Sequence, residues 1–192
     1  FRSDTMNRPI RIIDSTTVVL AEEGIDTDRI IPARFLTTTE RAGLGAALFA
    51  DRRGPNFPLD RPEAKGARIL VAGADFGCGS SREHAVWALV GAGFEAVVAP
   101  SFGDIFRQNA LQNGLVPVAL PRGLWTELAQ SSRHVTIDIA RRDIRWEGQP
   151  PTPFPLDPWA RYRLLEGVDD FSYLLGAQDD IAAFEGRPGR EA

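Results

Sequence analysis

The sequence predicts an α/β protein with a mostly parallel central sheet covered by helices, and three observations carry that prediction. Short apolar runs rich in β-branched residues alternate with helical stretches along the chain. The run Arg68-Ile69-Leu70-Val71-Ala72-Gly73 passes through a glycine-rich turn into the helical stretch Ala85-Val86-Trp87-Ala88-Leu89. A second unit of the same kind follows, with strand Ala96–Ala99, helix Asp104–Asn113, a stop at Gly114 and strand Leu115–Leu120.

The elements fall in order. Ile10–Leu20 reads as a first strand, and Ala21–Pro32 as a loop, because acidic and glycine residues break its periodicity. Thr37–Phe49 has helical spacing, and Asp51–Gly66, rich in proline, glycine and charge, reads as a surface connection. After the two strand–helix units, His134–Ile139 and Asp143–Trp146 read as a hairpin. Pro153, Pro155 and Pro158 then precede a helix from Trp159 to Glu166.

With 192 residues the chain has enough sequence for one good core, so a single domain over residues 6–192 is expected. Residues 1–5, ahead of Met6, read as an expression remnant. A net charge of −4 supplies no field that favours nucleic acid or an anionic membrane surface. No apolar run approaches the roughly 20 residues that span a bilayer, and no secretory signal pattern is visible, so a cytoplasmic location is expected. The single cysteine, Cys78, excludes an internal disulfide. With only His84 and His134 beside it, the chain lacks the ligands for a three-cysteine cluster or an ordinary zinc site. Any metal chemistry has to come from a partner.

The chemistry concentrates in Gly77-Cys78-Gly79-Ser80-Ser81-Arg82-Glu83-His84. Ser80 and Glu83 have the spacing of a capping box, which explains two residues without any function. It does not explain Gly77 and Gly79, which remove side chains from the approach, nor Ser81 and Arg82 at the positive end of a helix. A guanidinium fork beside backbone amides suits a small carboxylate or phosphate. The loop has no Gly-Lys-Ser/Thr, no third dinucleotide-type glycine and no Gly-x-Ser-x-Gly elbow, which argues against a nucleotide site or a hydrolase nucleophile. Cys78 is open to two readings, as a thiol activated by the helix or as a small packed residue. His84 is open to two as well, acting on Ser80 from one turn away or turning inward as a structural group.

Gly77 to Ala85 resembles the signature of the swivelling β/β/α domain of the aconitase superfamily. With Phe76 and Cys78 it is similar to the form found in the isopropylmalate isomerase small-subunit family. Asp26 to Leu36, and Ala99 to Phe106 followed by Asn109 and Gly114, resemble the same family in the same order, so the likeness runs from about Ile12 to Phe184. The resemblance implies a partner, the isopropylmalate dehydratase large subunit, whose three cysteines hold a four-iron four-sulfur cluster acting as a Lewis acid. It implies dehydration of 2-isopropylmalate and rehydration to 3-isopropylmalate, in leucine biosynthesis. Ser80 would be the base in its alkoxide form, Ser81 and Arg82 would hold the substrate carboxylate, and Asp28 would orient cationic groups. Arg34 would reach a carboxylate or anchor its loop. Thr37 stands where a relative acting on a tricarboxylate can carry arginine, so its neutral side chain argues for an alkyl substituent.

Two other functions are compatible with parts of the sequence. A related hydro-lyase acting on citraconate, methylmalate or homoaconitate needs the same serine loop with a different pocket. A non-enzymatic regulatory binding protein would need a basic stripe that the sequence lacks.

Overall fold

The computed structural model describes residues 8–37, 40–131 and 134–168; the expected expression remnant, residues 1–5, lies outside them. Seven strands form one sheet: β1 (Ile12–Leu20), β2 (Ile69–Ala72), β3 (Ala96–Ala99), β4 (Val116–Ala119), β5 (His134–Asp138), β6 (Asp143–Trp146) and β7 (Thr152–Pro153). Their order is β4-β3-β2-β1-β5-β6-β7. The pairs among β1 to β4 are parallel, and β5, β6 and β7 add on antiparallel. Thus β1, β2, β3, β4 and β6 run one way and only β5 and β7 the other.

The parallel half has both faces covered, which is why β2 and β3 are apolar at every position instead of alternating. On one face Leu70 and Ala72 of β2 pack with Ala85, Val86 and Leu89 of α2 (Glu83–Gly91) and with Phe106 and Ala110 of α3 (Asp104–Gln112). On the other, Ile69 and Val71 meet Trp125 and Leu128 of one helix, Arg122–Ser131, and Ala160 and Leu164 of another, Pro158–Glu166. Each aliphatic side chain buried in this way stabilises the fold by about 1.5–3 kcal/mol.

Four local expectations need correction. The segment read as a loop at residues 21–32 contains a one-turn helix, α1 (Thr27–Ile30), because the Asp26 carboxylate accepts the Arg29 amide at 2.8 Å. The helix expected over Thr37–Phe49 is only a 3-10 turn at Leu44–Ala47 in the described residues, Thr38 and Thr39 lying outside them. Gly43 and Phe49 both have positive φ, and a Cβ on Gly45 would stand 2.3 Å from the Gly91 carbonyl carbon. Close backbone packing therefore sets this segment, and helical spacing does not.

The surface connection Asp51–Gly66 is also more than surface, since it buries Phe57, 5.5 Å edge-on from Phe49. The fourth correction is an omission. Helix α4, Arg122–Ser131, has Leu124, Trp125 and Leu128 spaced along one stripe after Pro121, a helical signal not among the expected elements. Helix α5, Pro158–Glu166, starts where expected, its first amides accepted by the Asp157 carboxylate at 2.9 and 3.0 Å, and ends at Gly167 with φ +66.

Candidate active site

Three loops leave the carboxyl ends of the parallel strands β1, β2 and β3 and meet side by side, the place where open parallel sheets bind ligands. The middle loop, after β2, is stitched to its neighbours through backbone bonds. Gly77 N–H donates to Ile25 O at 2.8 Å and Thr27 N–H to Cys78 O at 3.0 Å on one side. On the other, Phe76 N–H donates to Ser101 O at 3.2 Å and Gly103 N–H to Phe76 O at 3.0 Å. The loops thus extend the sheet by single bridges, Asp26 with Cys78 and Phe76 with Phe102.

Glycine is required at Gly77 on two counts, its φ of +72 and the 2.2 Å that would separate a Cβ from Phe106 Cγ. Phe106 in turn stands edge-on to Phe76 at 5.3 Å, so the turn rests on an aromatic floor.

Above that floor Ser80 and Ser81 are exposed and Arg82 is half-buried. The buried Thr27 hydroxyl donates to Ser80 O at 3.0 Å, and the next residue, Asp28, forms an ion pair with Arg82. One dipeptide of the first loop thereby holds the Ser80 backbone and the Arg82 head group together.

The capping-box reading is corrected here. Helix α2 begins at Glu83 with Arg82 as its N-cap, and the Arg82 side chain makes no capping bond. Residues 80–82 precede the helix, with Ser80 O held by Thr27 and Arg82 extended. The Glu83 carboxylate accepts Asn113 Nδ2 at 2.9 Å instead of reaching back to Ser80. Asn113 is 3% exposed, also donates to Asn109 O at 2.8 Å and accepts Trp87 Nε1–H at 3.0 Å, so it pins the start of α2 to the end of α3. Ser80 and Ser81, both exposed, precede the N-cap, and no hydrogen bond among the described residues joins the Ser80 side chain to the first turn of α2.

Of the other expected site residues, Arg34 forks onto Asp51 at 3.0 and 2.5 Å and lies 4.7 Å over the Phe35 ring. The hydrogen bonds with Asp51 raise the Arg34 guanidinium above its ordinary range, and those with Arg34 hold the Asp51 carboxyl below its own. Thr37 is exposed just past the 3-10 turn Ala33–Phe35. No hydrogen bond or ion pair among the described residues joins Arg34 or Thr37 to Ser80, Ser81 or Arg82. Cys78 is half-buried, and the His84 ring packs against Trp87 at 4.7 Å, which favours its inward, structural reading.

Four residues not singled out from sequence shape this site: Thr27, Asn113, Asp75 and Ser101. Ser101 Oγ donates to Asp75 Oδ1 at 2.7 Å and accepts the Asp75 amide at 2.9 Å. Beyond them, burial raises the Glu22 carboxyl, but hydrogen bonds from Arg29 and Arg52 outweigh it and hold the group below its ordinary 4.5.

Comparison with known proteins shows the family to which the chain belongs. The Aconitase C-terminal domain family matches residues 12–123. The chain is 53% identical over 186 residues to a 3-isopropylmalate dehydratase small subunit from Anaeromyxobacter dehalogenans, covering 93% of this chain and 97% of the relative. It is 48% identical over 189 residues to the protein of the same name from Chloroflexus aurantiacus, covering 92% and 94% respectively. The fold is similar to the crystal structure of a 3-isopropylmalate dehydratase from Methanocaldococcus jannaschii, with a TM-score of 0.68 and 31% identity over 91% of this chain and 99% of that one.

Proposed function

Since the chain belongs to the 3-isopropylmalate dehydratase small-subunit family, of the aconitase superfamily, we propose that its serine loop performs the proton transfer and carboxylate binding of that reaction. The chain is the small subunit of a hydro-lyase that isomerises 2-isopropylmalate to 3-isopropylmalate in leucine biosynthesis. The carrying observation is Ser80 and Ser81, both exposed, directly before Arg82, the N-cap of α2 that Asp28 holds in an ion pair.

The difficult step is removal of a weakly acidic proton next to a carboxylate. Ser80 Oγ, as alkoxide, takes that proton and returns it to the neighbouring carbon. The positive end of α2 and the Arg82 charge stabilise the alkoxide once partner and substrate have excluded water. Ser81 Oγ and the Arg82 fork hold the substrate carboxylate, which takes the place of Asp28 on the guanidinium. Asp28 keeps Arg82 oriented until substrate arrives. Arg34, through Asp51, fixes the turn that carries Thr37, and neutral Thr37 faces an alkyl substituent instead of a third carboxylate.

A four-iron four-sulfur cluster needs at least three thiolates, and this chain offers Cys78 alone, in a turn whose carbonyl is tied to Thr27, so the ligands belong to the large subunit. The cluster supplies Lewis-acid chemistry for the departing hydroxyl. No helix among the described residues is long and apolar enough to cross a membrane, and a cytoplasmic location accords with this role. The acidic net charge of −4 accords with a small-molecule substrate and not with nucleic acid.

The test is anaerobic turnover of the reconstituted two-subunit complex. We expect Ser80→Ala to lower kcat by about 10²–10⁴-fold, the usual worth of a positioned base, and full turnover would remove Ser80 from that role. Comparing isopropylmaleate with citraconate sets the size of the alkyl group, and a preference for citraconate would reassign the substrate.

A further inference from the structure

The proposed chemistry uses the exposed end of the serine loop, while the opposite end is held by two side chains that take no part in it. Asp75, three residues beyond β2, adopts φ +56, in the left-handed region that residues with a Cβ rarely enter and that aspartate and asparagine tolerate best. Ser101, in the loop after β3, is what keeps it there. Its hydroxyl donates to Asp75 Oδ1 at 2.7 Å and accepts the Asp75 amide at 2.9 Å, closing a small ring between the two loops. Its carbonyl accepts the Phe76 amide at 3.2 Å, and Asp75 O accepts Cys78 N–H at 3.3 Å, closing the turn that leads to Ser80.

We propose that Asp75 and Ser101 act together as positioning residues for the reaction, fixing the frame from which the loop presents Ser80 and Arg82. This rests on the role proposed above for Ser80. Glycine would occupy φ +56 without strain but has no oxygen to accept the Ser101 hydroxyl, so the side chain at this position is explained by the bond it makes. From Asp75 to Ser80 the chain has little freedom, since Phe76, Gly77, Cys78 and Ser80 are each bonded to a neighbouring loop. A rotation released at Asp75 is therefore passed on to the hydroxyl, where misplacement of about 1 Å costs on the order of 10²-fold in rate.

The experiment uses Asp75→Gly, which fits the backbone without strain, Ser101→Ala, and the double variant, each in the complex with the cluster-bearing large subunit. We expect each single change to lower kcat by about 10–100-fold with KM within roughly threefold. The double variant should fall no further than the worse single, because the pair acts as one unit. Asp75→Asn, whose amide oxygen accepts the same hydroxyl, should restore kcat to within about threefold. In the full chain alone, amides of residues 76–81 should exchange faster in Asp75→Gly and Ser101→Ala and at the native rate in Asp75→Asn. Independent losses that multiply, a rise in KM at unchanged kcat, or native turnover in either single variant would overturn the proposal. If Ser80→Ala keeps its turnover while these variants lose kcat and exchange faster, the base assignment fails and the clamp stands. If Ser80→Ala abolishes turnover and these variants match the native protein, the clamp alone fails.

Discussion

The serine loop and the β5–β6 hairpin both set an arginine against carboxylates, and they use the pairing in opposite ways. In the hairpin Arg145 Nε donates to Asp143 Oδ1 at 2.8 Å and Nη2 to Asp143 Oδ2 at 3.2 Å, while Asp138 lies 3.7 Å away and accepts the Arg141 amide at 2.9 Å. Both carboxylates are largely covered, with 13% and 14% of their side-chain surface exposed, and the hydrogen bonds Arg145 donates to Asp143 raise its guanidinium above its ordinary range. In the loop Arg82 is paired with one carboxylate, Asp28, whose side chain is 51% exposed. The first arrangement closes a turn and has nothing left to offer. The second leaves its carboxylate partner open to solvent, which is what the proposed exchange with a substrate carboxylate requires.

The largest effect expected from this contrast is kinetic. Arg82→Gln should lower kcat/KM by about 10²–10³-fold, the usual worth of a charge-stabilising donor, and Arg82→Lys should recover only part of it, because an ammonium lacks the fork. Arg145→Gln should leave kcat/KM within twofold, and an equal loss there would erase the distinction between the two arginines.

Next comes a stability contrast between two glycines. Gly77 and Gly148 have φ of +72 and +80, but a Cβ would strike Phe106 at the first and meet nothing within 4 Å at the second. Urea titration should show Gly148→Ala costing about 1–2 kcal/mol, the left-handed penalty alone, and Gly77→Ala about 2–4 kcal/mol because overpacking adds to it. Equal costs would mean that the aromatic floor yields freely.

A smaller difference separates the same two arginines in stability. Removing Arg145 leaves the covered Asp143 without its cation, while Asp138 keeps Arg141; removing Arg82 frees an exposed partner, so Arg145→Gln should lower stability more than Arg82→Gln. Thermal melts of the two glutamine variants would measure this gap, and the reverse order would refute it.

The smallest effect is on acid stability. The Glu22 carboxyl is held below its ordinary 4.5, so its contribution is present above that value and is lost as pH falls through the lower folded value. Glu22→Gln should therefore flatten the decline of stability with acid below about pH 4.5 and change nothing slope-wise near neutrality, as a melting series from pH 3 to 7 would show.

Much of the framework was legible because its signals are local. Strand Ala96–Ala99 lies between a charge and a proline, and the helix from Asp104 ends two residues before Gly114, so both were bounded by neighbours in sequence. The hairpin at His134 and Asp143 was equally plain. Helix α4 was missed although its apolar stripe was there to be counted, and the start of α2 was misplaced because Ser80 and Glu83 had the right spacing for a box that distant partners forbid. Those partners are Thr27, 53 residues from Ser80, and Asn113, 30 residues from Glu83. Asp75 and Ser101, 26 residues apart, escaped notice for the same reason.

By itself the sequence determined the alternation of strands and helices, a glycine-led turn with two serines and an arginine, and a thiol count too small for a cluster. These follow from backbone preferences that act over a few residues and from composition. Only the tertiary structure decided that Ser80 is not a cap, that Arg82 pairs with an exposed Asp28, and that Arg34 is occupied by Asp51. Those outcomes depend on which loops the parallel pairing of β1, β2 and β3 brings side by side, and hydrogen-bond partners are chosen only after that has happened.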